Sequence, residues 1–141
     1  MGFNIFLDTN IIIDYFLATR LHHNAAKKII ASIEIGDISG HISESVLNTS
    51  AYILSKAIAI SDLKDYLLEM VSMMKVLSCS NSTIQMAYKN SVNDLEDAVL
   101  YQLALEGKLD YFITSDIKDF RRLEKPSLPV ISATEFIKFL D

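Results

Sequence analysis

Carboxylates are the residues of this chain whose positions suggest chemistry. Asp8 follows directly on the apolar run Ile5-Phe6-Leu7, and Asp116 closely follows Tyr111-Phe112-Ile113-Thr114, so each acid sits where a buried strand ends. Asp94 and Asp97 lie three apart in NDLEDAVLYQLA, at the start of a helical pattern, and share one face. Glu96 falls between them and is expected to point elsewhere. In open α/β sheets, ligands bind in the crevice outside the carboxyl ends of the strands. Acids gathered at such an edge repel one another, and a bound cation is the usual reason for keeping them together. Oxygen-only ligands select hard ions, Mg²⁺ or Mn²⁺. Such an ion activates water and steadies the leaving oxygen of a phosphodiester. Each acid also has a plain structural use. Asp94 is placed to cap its helix, Glu44 follows Ser43 at a helix start where its charge suits the dipole, and Asp8 and Asp116 fit strand-end turns.

The elements that must position these acids can be read in order. Ile5–Leu7 is a strand, followed at Thr9 and Asn10 by capping side chains and a short helix from Asn10 to about Leu17. His22–Ile35 has helical spacing and ends at Gly36. A strand over Ile38–Ile42 leads into a helix capped by Ser43 and running to about Ile58; Ser61–Met74 is the next helix. Val76–Ser78 reads as an edge or second-layer strand. Ser82 to Gln85 has capping-box spacing and opens a helix to about Lys89; Asn93–Ala104 is a further helix, closed by Gly107. Tyr111–Thr114 and Pro129–Ile131 are strands, and Ser132 to Glu135 is a full capping box opening the last helix. Short apolar strands alternating with helices predict an α/β fold, a three-layer α/β/α sandwich with a central parallel sheet. There is no internal repeat or long linker, so residues 1–141 are expected to form a single domain.

Composition narrows the function classes. No apolar run approaches the ~20 residues that span a bilayer, no secretory leader pattern opens the chain, and the single Cys79 excludes an intramolecular disulfide; the chain reads as cytoplasmic. A net charge of −5 argues against coating nucleic acid through bulk positive charge. It leaves room for an enzyme that meets a phosphate backbone through cations and local basic residues. Lys118, Arg121 and Arg122, which follow Asp116 directly, are better candidates for that contact than Lys27 and Lys28, and a solvated basic face is the plain alternative. His22, His23 and His41 lack ligand spacing with Cys79, which reads as a small core residue. No glycine-rich phosphate loop exists. The Met and aromatic residues of YLLEMVSMM read as core; where they are exposed, helices Ser43–Ile58 and Ser61–Met74 become a candidate dimer or partner surface.

Taken together, LDTN at Leu7–Asn10, NDLEDAVLYQLAL at Asn93–Leu105, YFITSDIKDF at Tyr111–Phe120 and LPVISATEFI at Leu128–Ile137 resemble the PIN domain over nearly the whole chain. PIN domains are the nuclease fold of VapC-type toxins of toxin–antitoxin pairs and of related ribonucleases. The resemblance implies metal-dependent endonucleolytic cleavage of RNA with Mg²⁺ or Mn²⁺. It implies Asp8, Asp97 and Asp116 as metal-site acids, Asn10 supporting the first, Thr114 and Ser115 beside the site, and homodimers and an antitoxin protein as partners. One departure stands out. The family usually carries an acid, commonly Glu, one or two turns into the helix after the second strand; SESVLNTSAYIL has Asn48 or Thr49 there, with Glu44 a turn too early. Asp94, in the LEDA-type segment, and Asp119 are the candidate compensators. The alternative function is a PIN-like module with weakened catalysis that binds RNA or protein. A haloacid-type phosphatase would need an acid where Asn10 stands, and a phospho-receiver would need an acidic pair near the first strand and a late strand-end Lys; neither pattern is present.

Overall fold

The computed structural model describes residues 2–91 and 94–140. Five short strands, β1 (Asn4–Leu7), β2 (Ser39–Ser43), β3 (Met74–Leu77), β4 (Tyr111–Ile113) and β5 (Val130–Ile131), form one sheet in the order β3-β2-β1-β4-β5. Every pairing is parallel, and the register sets Phe6 between His41 of β2 and Phe112 of β4. The parallel strands require crossovers, which the helices α1 (Thr9–Phe16), α2 (His23–Glu34), α3 (Glu44–Leu54), α4 (Ile60–Met73), α5 (Asn81–Asn90), α6 (Leu95–Glu106) and α7 (Ile117–Arg121) supply, and α8 (Ala133–Phe136) follows the last strand. The order returns through β1 at the centre, so the chain switches from winding toward β3 to winding toward β5 beside that strand. This is where an open sheet leaves a crevice.

Alternation along the strands separates two cores. Phe6, Phe112, Phe120 and Tyr101 gather on one face, with ring centroids 5.1 Å apart for Phe6–Phe112, 4.5 Å for Phe112–Phe120 and 5.6 Å for Tyr101–Phe112. On the other face Phe3, Tyr111 and Phe136 meet edge to face at 5.5–6.0 Å. Ile5, Phe6, Leu7, Phe112 and Ile113 are fully buried, as expected for strands covered on both sides. The expected three-layer α/β/α arrangement is the one observed. Among the described residues no helix is long and apolar enough to cross a membrane.

Boundaries shift where capping chemistry was misassigned. Asp8 itself caps α1, accepting from the Thr9 N–H at 2.8 Å, so Thr9 and Asn10 fall inside the first turn instead of capping it. The box opening α5 uses Ser80 and Thr83, two residues before the expected Ser82, because Thr83 is buried and its hydroxyl also donates to Glu106 at 2.6 Å. At the last helix Ser132 accepts from the Glu135 N–H, but the Glu135 carboxylate turns to Lys138 at 3.4 Å, so the full box expected there is half formed. The strand expected over Val76–Ser78 begins at Met74 and pairs with β2 at the sheet edge. Helix α6 begins at Leu95 behind its cap Asp94; the expected start at Asn93 lies outside the described residues. The five-residue α7 lies between β4 and β5, where no element was expected.

Two expectations about burial need correction. Cys79 is exposed, because it sits in the connection between β3 and α5 and not on an inward face. In α4, Leu63 and Met70 are buried but Tyr66 and Leu68 are not, and Tyr52 and Ile53 of α3 and Ile60 of α4 are exposed as well.

Candidate active site

The site grows from the carboxyl ends of β1 and β4. The Asp8 N–H donates to the Ile113 carbonyl at 3.0 Å, which fixes the end of one strand against the end of the other. Side chains then tie the two ends together. The Thr114 hydroxyl donates to Asp8 Oδ2 at 2.8 Å and accepts from the Asp116 N–H at 2.9 Å. Asn10 Nδ2 bridges Asp8 Oδ2 at 3.1 Å and Asp116 Oδ2 at 3.4 Å, while Asn10 Oδ1 accepts from the Ser115 N–H at 3.1 Å. Both polar side-chain atoms of Asn10 are engaged, so the residue acts as a spacer that holds Asp8 and Asp116 apart and oriented. Thr114 is fully buried beneath them.

Asp97 arrives from α6. Its backbone N–H is capped by Asp94 Oδ1 at 3.0 Å, so the capping use of Asp94 read from the sequence is realised. The Asp97 carboxylate has no hydrogen-bond partner among the described residues. Asp8, Asn10, Asp97 and Asp116 line one hollow of about 270 Å³, together with Thr49 and Ile53 of α3, Glu96 and Arg20. The hollow straddles β1, with α3 reaching it from the β2 side and Asp116 from the β4 side.

Electrostatics follow from that crowding. Burial pushes the Asp97 carboxyl up to about 7, with the charges of Asp94, Asp8, Asp116 and Asp119 adding to it in that order. Asp8, 5 % exposed, is raised by burial and by the charge of Asp116, against the lowering effect of its bonds from Thr114, Thr9 and Asn10. A carboxylate whose folded value lies above its unfolded one, near 4, stabilises the fold only while protonated. That stability is lost as pH rises from about 4 through about 7. Asp97→Asn removes the penalty. In chelator, the melting temperature of this variant relative to the unsubstituted protein is expected to climb between pH 5 and pH 8, and a gap that stays constant would contradict the assignment.

The set fits a hard divalent cation in its donor chemistry: oxygens only, mutually repelling, one of them without a hydrogen-bond partner. Among the described residues, no three His, Cys, Asp or Glu side chains converge into a ready-made cage.

The other expected residues distribute unevenly. Asp94 and Asp119 do not line the hollow and act on Asp97 through charge. Ser115 contributes its backbone. Lys118 is exposed one residue beyond the Asp116–Ile117 turn. Arg121 turns toward β5, donating to the Val130 carbonyl at 3.5 Å with Glu124 at 3.8 Å. Arg122 lines a separate cleft of about 220 Å³ with Tyr101, Gln102 and Lys125, so it does not join the acids. Glu96, expected to point away, lines the hollow beside Asp97. The ambiguity between Asn48 and Thr49 resolves to Thr49, which lines the hollow where Asn48 is exposed. Arg20 was missed altogether, since nothing in its local sequence marks it and its place depends on the α1–α2 turn.

Comparisons with known proteins agree with this architecture. The chain is 24% identical over 140 residues to Ribonuclease VapC1 of Aquifex aeolicus (strain VF5), covering 94% of this chain and 92% of that protein. VapBC-1 from nontypeable Haemophilus influenzae has a similar fold, with a TM-score of 0.67 at 19% identity across 93% of this chain and 98% of that one. Mycobacterium tuberculosis VapC20, described as a sarcin-ricin loop cleaving toxin, matches at a TM-score of 0.62 and 15% identity over 77% of this chain and 86% of that one. The model of one family, described as the PIN domain, matches residues 4–118, which takes in β1 with Asp8, the Asp94–Asp97 turn and β4 with Asp116. By that match, the chain belongs to the PIN domain family.

Proposed function

We propose that this protein is a metal-dependent endoribonuclease that hydrolyses RNA phosphodiester bonds and serves as the toxin of a toxin–antitoxin pair. The observation that carries the reading is the hollow at the strand ends, into which Asp8, Asp97 and Asp116 come from three different elements. The similarity to Ribonuclease VapC1 supports the choice of RNA, and the similarity to VapBC complexes supports an antitoxin protein as partner. The exposed apolar residues of α3 and α4 are the ones assigned to that partner or to a second copy of the chain.

In this reading Asp8, Asp97 and Asp116 hold Mg²⁺ or Mn²⁺. When bound, such an ion lowers the pKa of a coordinated water and offsets charge on the phosphate oxygens. The protein's own contribution is preorganisation. Asn10 and Thr114 fix Asp8 and Asp116, Asp94 caps the turn that presents Asp97, and the crowding of negative charge around Asp97 is what a bound cation would relieve. Asp94 therefore acts on Asp97 and through it on the site. Lys118 is the best-placed of the three basic candidates for a backbone phosphate.

The second reading, a PIN-like module with weakened catalysis that binds RNA or protein, is favoured by one observation: Thr49 presents a hydroxyl to the hollow where the family usually has a carboxylate. A panel of structured and unstructured RNAs incubated with Mn²⁺, Mg²⁺ or chelator separates the two. Cleavage with either ion and none in chelator is the expected result; an intact panel under all conditions, from a folded protein, favours the binding module.

A further inference from the structure

Arg20 lines the acid hollow, and we propose that it grips a non-bridging oxygen of the scissile phosphate there, with Asp14 as the residue that positions it. The proposal rests on the ribonuclease reading and adds to it the protein's own cationic contact with the substrate.

The geometry separates Arg20 from an ordinary surface arginine. Its Nε donates to Asp14 Oδ1 at 2.9 Å, and Asp14 is 3 % exposed, so the guanidinium is anchored to a carboxylate within the α1 layer and not to a mobile surface partner. The backbone is held as well. The Arg20 N–H donates to the Leu17 carbonyl at 3.0 Å, the His23 N–H donates to the Arg20 carbonyl at 3.2 Å, and the His23 ring Nδ1 lies 2.8 Å from the Asp14 carbonyl oxygen. The α1–α2 turn is thus pinned on both sides of the arginine. A guanidinium has five N–H donors in a planar fork. One is used on Asp14, and the terminal nitrogens have no partner among the described residues, with the side chain 45 % exposed.

The pairing also explains how an arginine coexists with acids it does not neutralise. Asp8, Asp97 and Asp116 form no ion pair within 4 Å among the described residues, and Arg20 spends its charge-assisted bond on Asp14 instead. The hollow therefore holds a cationic end and an acidic end that do not collapse on each other. An anion carrying two non-bridging oxygens complements such a hollow, one oxygen toward the guanidinium and the other toward whatever cation the acids hold. A chain of net charge −5 needs local cations of this kind to hold a polyanion against its acids.

Two measurements test it. In the first, kcat/KM for a short single-stranded RNA is compared for the unsubstituted protein, Arg20→Gln and Arg20→Lys, with melting temperatures recorded alongside. Arg20→Gln is expected to lower kcat/KM on the order of a hundredfold, and Arg20→Lys to recover part of the loss because it keeps the charge but not the fork. In the second, binding of the same RNA is titrated against salt in the Asp97→Asn background, with and without Arg20→Gln. Loss of one phosphate contact should make the slope of log K against log salt shallower by about 0.7. Equal slopes, together with an unchanged kcat/KM and a lowered melting temperature in Arg20→Gln, would mean that Arg20 only braces the α1–α2 turn, and the proposal falls. If the unsubstituted protein cuts no RNA, the ribonuclease reading fails on that arm alone. The slopes still decide whether Arg20 meets phosphate.

Discussion

Asp97→Asn is expected to lower RNA cleavage on the order of a thousandfold while the protein stays folded, because an amide is a poor ligand for a hard cation. The substitution is nearly isosteric, and the Asp97 side chain makes no hydrogen bond among the described residues that an amide would break. Asp8→Asn should abolish cleavage to a similar degree but is structurally less innocent. Asp8 accepts from the Thr9 N–H, from Asn10 Nδ2 and from the Thr114 hydroxyl, and an amide nitrogen at Oδ2 would face two donors. Some loss of stability should accompany Asp8→Asn, whereas Asp97→Asn should melt no lower than the unsubstituted protein at pH 8. Single-turnover cleavage in Mn²⁺, read beside the melting curves, checks both statements. Activity retained in both variants would sink the assignment of these acids.

Phe112→Ala is expected to destabilise the fold by about 3–5 kcal/mol, the range for removing a fully buried aromatic ring from a packed core. Phe112 is 0 % exposed and contacts the rings of Phe6, Phe120 and Tyr101, so three elements besides its own strand lose a packing partner at once. Against a total stability typically of about 5–15 kcal/mol, that is a large fraction, and for a chain of this size it corresponds to a fall in melting temperature on the order of 10 °C. Phe139→Ala, at a ring 48 % exposed, is the comparison and should cost much less. Denaturant midpoints for the two variants measure the contrast; equal midpoints would mean that the two-faced core is wrongly drawn. The consequence reaches the site, because Phe112 paired with Phe6 sets the β1–β4 register that delivers Asp8 beside Thr114 and Asp116.

The parts of the fold legible in the chain alone are those that rest on local features. The apolar strands at Ile5–Leu7 and Tyr111–Ile113 were legible because burial on both faces leaves an uninterrupted apolar run. The acids at their ends were legible because such a run must stop where the sheet meets water. Alternation of strands with helical periods was enough for a parallel sheet, since only crossovers connect parallel strands. Helix boundaries were less well served, because Ser80, Ser82 and Thr83 compete for one cap and the choice was made by Glu106, 23 residues further along the chain.

Tertiary structure decided which polar residues share a space. Lys118, Arg121 and Arg122 adjoin Asp116 in sequence, yet the turn of α7 sends Arg121 to the Val130 carbonyl and Arg122 to another cleft. Arg20 stands far from Asp97 and Asp116 in sequence and lines the same hollow, because crossover connections bring α1, α3, α6 and β4 to one edge. Only there was Thr49 distinguished from Asn48, neighbours on one helix that face the hollow and the solvent respectively. Spacing along the chain reports which face of an element a side chain occupies; which faces meet depends on strand order, and strand order is set by packing between segments that no local pattern links.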